Sequence, residues 1–443
     1  MVLIVSVLPT KIVFNHLAIP ISDKMREELL SGFNIGDKIR VKKDDNIYEG
    51  ILMPHHRFSD EDIVTLKLDN GYNIGIEVDE GTELELIEES GEKEEIEKAP
   101  AEFDEEKADI SIISTGGTIA SYVEYRTGAV HPAETAEDMI FSIPEIADRC
   151  DPSLKILFSK LSEDMNPKDW VDIADEVIEE FKEGAEGVVI AHGTDTMGYT
   201  ASALSFLLSD LDRTVVLVGS QRSSDRPSSD AALNLLGAIE VSKSDMPGVF
   251  VVMHGSMSDD RCAVHLGTKV RKMHTSRRDA FQSINTEPVG WVDPHTGEIE
   301  AERITKDKNE KLERKGNIDP SVSLLYAHPG MTEEDLPEKG EKQGLVIAGT
   351  GLGHVNSRLI PRIKELAAGC TDVVMTSQCL NGTVNDYVYS NGRKLVEAGV
   401  IQGRDMLPET ALVKLMWALS LEEDVEQVMK TNIAGEITER RVR

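Results

Sequence analysis

Positive charge is scarce in this 443-residue chain: 47 lysines and arginines stand against 80 aspartates and glutamates, a formal net charge of −33. A field of that sign repels a bare phosphate backbone, because nucleic-acid affinity comes largely from basic side chains that neutralise phosphates. If a nucleic acid takes part in the function, another chain should do most of the gripping, apart from a local basic patch such as Arg271, Lys272, Arg277 and Arg278. Cysteine is limited to Cys150, Cys262, Cys370 and Cys379. With no C-x-x-C spacing, these read as buried free thiols in a reducing cytoplasm rather than as a disulfide framework or a metal cluster. No stretch approaches the roughly eighteen apolar residues that a membrane span needs. The chain has no H-E-x-x-H and no Gly-Lys dipeptide, so neither that zinc motif nor a P-loop is present. Gly349-Thr350-Gly351-Leu352-Gly353 misses the G-x-G-x-x-G spacing and lacks a placed acidic ribose partner, so it is no nucleotide fingerprint. Metal and ATP chemistry are therefore not expected here.

What is present is a folded pattern with 40% apolar residues, long enough for two or three domains. Residues 1–24 are apolar, carry Pro9 and lack a basic leading region, which makes a poor signal peptide and suggests an extended or misassigned start. From residue 25 to 88, apolar residues alternate (Ile39, Val41; Val64, Leu66, Leu68), and Asp69-Asn70-Gly71 signals a hairpin. Four or five short strands in that length predict a small all-β barrel. It carries no basic stripe or stacking aromatics, so packing against a partner is its expected role. Residues 89–107 are a strongly acidic run with Pro100, which reads as a solvated, self-repelling linker. Apolar strands then alternate with helical stretches over 108–300 and again over 321–443, joined by a charged connection at 301–320. That alternation predicts two α/β domains with mostly parallel sheets.

Two loops stand out. Ile110-Ser111-Ile112-Ile113 reads as a buried strand and runs into Ser114-Thr115-Gly116-Gly117-Thr118-Ile119-Ala120. The glycines permit a sharp turn and close approach to a ligand, and leave backbone N–H groups facing developing negative charge. A second apolar strand, Gly187 to Ala191, ends in His192-Gly193-Thr194-Asp195-Thr196. A hydroxyl beside a carboxylate at a strand's C-terminal end is where open α/β sheets bind ligands. Either loop alone is compatible with an ordinary strand-to-helix turn.

The pair T-G-G-T-I-A and H-G-T-D-T resembles the bacterial-type L-asparaginase and glutaminase family. The resemblance spans about residues 108–425 and implies a two-domain parallel-sheet amidase. It implies Thr118 as the nucleophile on a side-chain carboxamide, assisted by Tyr125 on a mobile lid over residues 121–128, with Tyr122 the weaker match. Ser162 and Glu163 match the stretch that contacts the substrate's α-carboxylate and α-amine, while Asn166 also reads as a helix cap. Spacing from the family's lysine-threonine pattern to Phe281 places its catalytic lysine at Lys272, with Lys269 fitting less well. Thr194, Asp195 and Lys272 then form a second hydrogen-bonded set, backbone N–H groups near Gly117 and Thr194 hold the oxyanion, and Asp195 binds the substrate ammonium. As a base near neutral pH, Lys272 would have to give up about 4–5 kcal/mol, and a neighbouring carboxylate opposes that. Its expected role is polariser first and base second.

Glutamine and asparagine differ by one methylene, worth only about 1–3 kcal/mol in a pocket, so the motifs do not choose between them. The appended barrel, the acidic linker and the stretches Gln378 to Asn385 and Gly403 to Thr410 make the chain resemble the glutaminase subunits of archaeal tRNA-dependent amidotransferases. That resemblance implies no cofactor in this chain, and ATP and Mg on a partner subunit that binds Glu-tRNA(Gln) and converts it to Gln-tRNA(Gln) with the released ammonia. It also implies a cytoplasmic homodimer of this chain within a heterotetramer. The alternatives are a free cytoplasmic L-asparaginase and a catalytically silent amino-acid-binding or scaffold subunit.

Overall fold

The computed structural model describes residues 29–44, 46–53, 62–68, 73–79, 81–89, 109–116, 121–124, 129–132, 135, 139–140, 143–222, 228–301 and 312–438. The chain divides into two compact units, one of residues 1–95 with 124–129 and the other of the remainder. The first holds β1 (Lys38–Lys43), β2 (Asn46–Leu52), β3 (Ile63–Lys67), β4 (Asn73–Glu77) and β5 (Glu83–Glu88). They form one antiparallel sheet in the order β4-β3-β2-β1-β5. The period-two alternation is what closes its core: Ile39, Val41, Leu52, Val64, Leu66, Ile76 and Val78 are all buried in one cluster. The Asp69-Asn70-Gly71 turn and the acidic run up to residue 107 lie outside the described residues, although β3 and β4 on either side of that turn do pair antiparallel.

The second unit begins with β6 (Asp109–Ser114), most of the short β7 (Ser121–Glu124) and of β8 (Ala129–Pro132), α1 (Glu145–Arg149) and β9 (Asp151–Ile156). It continues through α2 (Pro167–Glu183), β10 (Gly187–Ala191), α3 (Met197–Leu207), β11 (Thr214–Val218), α4 (Ala231–Ser242) and β12 (Gly248–His254). The strands β9, β6, β10, β11 and β12 lie side by side and parallel. The inner strands β6, β10, β11 and β12 are buried on both faces, which explains their apolar runs, whereas β9 at the edge (D-P-S-L-K-I) is largely exposed. Along β10, Val188 and Ile190 enter one core while Val189 and Ala191 enter the other. β11 divides the same way, with Val215 and Leu217 opposite Val216 and Val218.

The expected parallel sheet has an antiparallel extension. β13 (Cys262–Leu266) turns back along β12, and beyond it come β16 (Gly290–Val292) and β17 (Ile299–Ala301). Between these, β14 (Val270–Lys272) and β15 (Phe281–Ser283) make a separate hairpin. Strands of three residues are too short to show alternation in the sequence.

The C-terminal half is a four-stranded parallel sheet: β18 (Val322–Tyr326), β19 (Gly344–Gly349), β20 (Asp372–Ser377) and β21 (Ile401–Gln402). The helices α5 (Ile360–Ala367), α6 (Ser390–Glu397), α7 (Pro408–Ala418) and α8 (Val425–Lys430) accompany it. α3 and α7 join the two halves. Phe206 and Trp417 stack with centroids 5.5 Å apart, and Ser202 Oγ lies 3.2 Å from Thr410 Oγ1. Lys414 of α7 forms a fully buried ion pair with Glu436, and burial pulls the lysine below its ordinary range.

Two sequence expectations are corrected here. Cys370 and Cys379 are exposed, not buried, whereas Cys150 and Cys262 are buried; none of the four is in a disulfide. The basic patch is neutralised by carboxylates, three of them brought from elsewhere in the chain: Arg271 meets Glu409, Lys272 meets Asp195 and Arg278 meets Asp259, while Arg277 meets its near neighbour Asp279. Among the described residues, no helix is long and apolar enough to cross a membrane, and no group of three or more His, Cys, Asp or Glu is placed to hold a metal ion.

Candidate active site

The three central strands end level with one another, Ser114 opposite Ala191 and Ala191 opposite Val218. Their outgoing loops therefore emerge at one edge of the sheet, where parallel α/β sheets collect ligands. Thr115, the first residue after β6, turns inward. Its amide and its hydroxyl both donate to the Ala191 carbonyl at 3.0 Å, and the residue is buried. Its hydroxyl therefore ties the two loops together and is already spent. Gly116 follows at φ +114°, where a Cβ would stand 2.1 Å from the Lys160 carbonyl oxygen. Only glycine fits that turn, both by handedness and by space. Gly117 and Thr118 lie outside the described residues, as does Tyr125.

The neighbouring loop after β10 is propped from below by His192. Its Nδ1 is 2.6 Å from the Gly193 carbonyl and must carry the proton there, so Nε2, 2.9 Å from Thr200 Oγ1, accepts from that hydroxyl. Burial pushes this imidazole down to about 4, so it is neutral and acts as a strut. On the other side, Gly219 packs so close that a Cβ there would stand 2.6 Å from the His192 carbonyl oxygen and 2.8 Å from Thr194 Cγ2.

Held this way, Thr194 and Asp195 meet Lys272 from β14. The lysine Nζ donates to Thr194 Oγ1 at 2.9 Å and to Asp195 Oδ1 at 2.6 Å. Lys272 is mostly covered, with 15% of its side chain accessible, while Asp195 is open at 63%. One end of the cluster is thus anchored and the other faces solvent. Because the lysine donates to the Thr194 oxygen, the threonine's own proton is free to point elsewhere. An ammonium so placed can polarise the hydroxyl but has no lone pair with which to take its proton.

Ser162 is buried on a single helical turn after β9. Its Oγ accepts from the Asp195 amide at 3.2 Å, and its carbonyl accepts from Thr196 Oγ1 at 2.6 Å. It is therefore brought into direct contact with the Thr194–Asp195 loop. Glu163 beside it is exposed, with its carboxylate 3.5 Å from Ser162 Oγ. Asn166 caps α2, accepting from Lys168 N at 3.1 Å, while Asp169 closes the box on the Asn166 amide at 2.9 Å. Lys269, the lesser lysine candidate, is not at this site: it is buried in an ion pair with Asp405 at 2.7 Å.

Sequence reasoning left the end of β11 without a role. There, Ser220 Oγ and Gln221 Nε2 are buried with no hydrogen-bond partner among the described residues, next to the Gly219 that abuts Thr194. The polar run after an apolar strand was the available signal. A cavity of about 1140 Å³ lies apart from these groups, lined by His265, Phe281, Trp291, Asn381 and Arg404 among others and by none of Thr194, Asp195 or Lys272.

Comparison with known proteins follows the same divisions. Family models for "Asparaginase, N-terminal" match residues 109–305, for "Glutaminase/Asparaginase C-terminal domain" residues 321–431, and for "GatD N-terminal domain" residues 33–87. A protein of Pyrococcus furiosus, named as the D subunit of glutamyl-tRNA(Gln) amidotransferase, is 51% identical over 429 residues, 93% of this chain and 97% of that one. Its counterpart by name in Methanobrevibacter smithii is 48% identical, covering 93% and 95%. Among solved structures, the thermostable L-asparaginase of Thermococcus kodakarensis superposes with a TM-score of 0.65 at 34% identity, over 75% of this chain and all of that one. A probable cytoplasmic L-asparaginase of Campylobacter jejuni gives 0.60 at 28%, over 73% and 98%.

Proposed function

This chain belongs to the family of glutamyl-tRNA(Gln) amidotransferase D subunits, built on an asparaginase core, and from that premise we propose how its residues release ammonia. It is the glutaminase subunit of a tRNA-dependent amidotransferase. In this reading Thr118 attacks the carboxamide carbon, and Tyr125 on the lid helps remove its proton. Backbone N–H groups near Gly117 and Thr194 take the developing oxyanion. The leaving nitrogen takes up a proton as the C–N bond breaks, and water then releases the acyl group from Thr118. Lys272 acts as the polariser, and the free proton of Thr194 is directed toward the reacting amide. Asp195, being open, receives the substrate's ammonium, with Ser162 and Glu163 near its carboxylate end.

The observation that carries this reading is the Lys272 ammonium shared between Thr194 and Asp195, at the edge where the loop bearing Thr118 emerges. A partner subunit holds Glu-tRNA(Gln), ATP and Mg and consumes the ammonia. The charge of −33 supports leaving the nucleic acid mainly to that partner. The test is ammonia release from glutamine and from asparagine by the purified chain, alone and with its partner and Glu-tRNA(Gln). Stimulation by the partner and charged tRNA is expected. Equal turnover without them, with a preference for asparagine, would instead identify a free asparaginase. Thr118→Ala should abolish release while leaving the fold intact; a scaffold protein would have no activity to lose.

A further inference from the structure

Lys272 sits on a hairpin whose strands are three residues each, paired from Val270↔Ser283 to Lys272↔Phe281 and continued by the Met273 amide on the Ala280 carbonyl and the Ile284 amide on the Lys269 carbonyl. The base of this short ladder is held by Val270 and Phe281 in the core and by Arg271 on Glu409. The lean of its outer end, and with it the fine position of Lys272 relative to Thr194, depends on contacts at the tip, residues 273–280. Arg278 supplies them. It is 8% exposed, and its two terminal nitrogens donate to Asp259 Oδ1 and to the Met257 carbonyl, both in the loop after β12.

Behind Asp259 the contacts run back toward the other arm of the site. His254 is buried, with Nδ1 2.6 Å from Asn234 Oδ1 and Nε2 3.3 Å from Asp259 Oδ1. Asn234 Nδ2 donates to the Gly219 carbonyl and to Asp230 Oδ2, each at 2.9 Å, so its oxygen must accept and His254 Nδ1 must carry the proton. In the neutral imidazole, which burial favours, Nε2 then turns a lone pair toward a carboxylate. That contact does not hold by itself. The Arg278 cation offsets it at the carboxylate, while His295 Nε2 lies 2.8 Å from the Asp259 carbonyl.

We propose that Arg278 and Asp259 form a clamp that positions the Lys272 hairpin against the Thr194–Asp195 loop, which makes Arg278 a positioning residue for amide hydrolysis. The chain of contacts behind it ends at Gly219, which packs on Thr194, so one frame sets both arms of the site. The proposal rests on the amidase reading above.

The experiment uses the full chain with its partner subunit and follows kcat and KM for ammonia release from glutamine, with thermal unfolding recorded for every variant. Arg278→Gln should lower kcat roughly tenfold to a hundredfold with KM little changed, because a reacting group displaced by about an ångström loses rate rather than binding. Arg278→Lys should recover part of the loss, keeping the charge without the two-pronged donor geometry. Asp259 is 57% exposed on its loop, so Asp259→Asn should fold even where Arg278→Gln does not, and it should show the same kcat loss. The double variant should be no worse than Arg278→Gln alone, since the contact that Asp259→Asn removes is already broken there. Wild-type kcat in folded Asp259→Asn and Arg278→Gln, or losses that multiply in the double, overturns the clamp. A wild-type complex that releases no ammonia overturns the amidase reading and the clamp with it.

Discussion

Lys269 and Lys272 stand three residues apart, and each holds an aspartate, at 2.7 Å and 2.6 Å. Their surroundings differ throughout. Lys269 and Asp405 are both covered, with 2% and 9% of their side chains accessible. Asp405 also takes hydrogen bonds from Thr438, and its carboxyl is held below its ordinary range: burial works to raise it, but the bonds from Lys269 and Thr438 outweigh that. In the second pair the aspartate is open, and the ammonium is shared with a threonine hydroxyl. The first arrangement has no room for a ligand's charge; the second offers an open carboxylate to an ammonium and a polarised hydroxyl to an amide. A lysine–aspartate contact is thus structural or chemical according to what else each partner touches, not according to its length.

The largest expected effect breaks this pair of lysines apart. Lys272→Met should lower kcat by roughly 10²- to 10³-fold, the range for losing one positioned electrostatic donor, with little change in melting temperature. Lys269→Met should do the reverse. It leaves the Asp405 carboxylate buried and unpaired, which costs about 3–5 kcal/mol of stability, while activity per folded molecule is largely kept. Steady-state kinetics and denaturant unfolding on both variants decide the matter, and a shared pattern would dissolve the distinction.

Acid sharpens the same contrast. His192 and His265 are buried, and burial pushes each down to about 4 from its ordinary 6.5. The unfolded chain then binds more protons than the folded one between those values. Each histidine contributes stability that is fully present above pH 6.5 and is lost as pH falls toward 4, up to about 3 kcal/mol apiece. The depressed Asp405 carboxyl contributes stability present above its unfolded range near 3.9 and lost only below it. Melting temperature should therefore fall steadily from pH 7 to 4, with a shallower slope in His192→Asn, while the gap between wild type and Lys269→Met narrows as pH falls, because burial without the Lys269 contact raises the Asp405 carboxyl and protonation relieves the unpaired charge. A flat wild-type profile would mean that both histidines take up protons as readily in the folded chain as in the unfolded one.

Much of the scaffold could be read from residues alone because parallel strands buried on both faces are continuous apolar runs, as at Gly187–Ala191 and Thr214–Val218. The spacing from Phe281 singled out Lys272, and the two prove to be register partners on one hairpin. What stayed hidden depends on partners distant along the chain. Nothing local shows that the Thr115 hydroxyl is spent on Ala191, that Arg271 meets Glu409, or that Arg278 meets Asp259. His192 is visible in H-G-T-D-T, but its role as a neutral strut follows only from Thr200 lying one turn into α3 with its hydroxyl 2.9 Å away.

The smallest expected effect concerns Ser162, which stands between the two kinds of contact. Its Oγ accepts a 3.2 Å bond from the Asp195 amide, so the hydroxyl proton is not used in that bond, and the neighbouring Glu163 oxygen is 3.5 Å away, too far for a strong claim on it. That proton is available to a substrate carboxylate. A neutral hydrogen bond is worth about 0.5–1.5 kcal/mol net, so Ser162→Ala should raise KM for glutamine up to roughly tenfold while kcat stays close to wild type. If Ser162 served only to anchor Asp195 beside Lys272, the loss would appear in kcat instead, as it does for a displaced Lys272. The split between KM and kcat in this one variant therefore separates a residue that touches substrate from one that merely holds the loop.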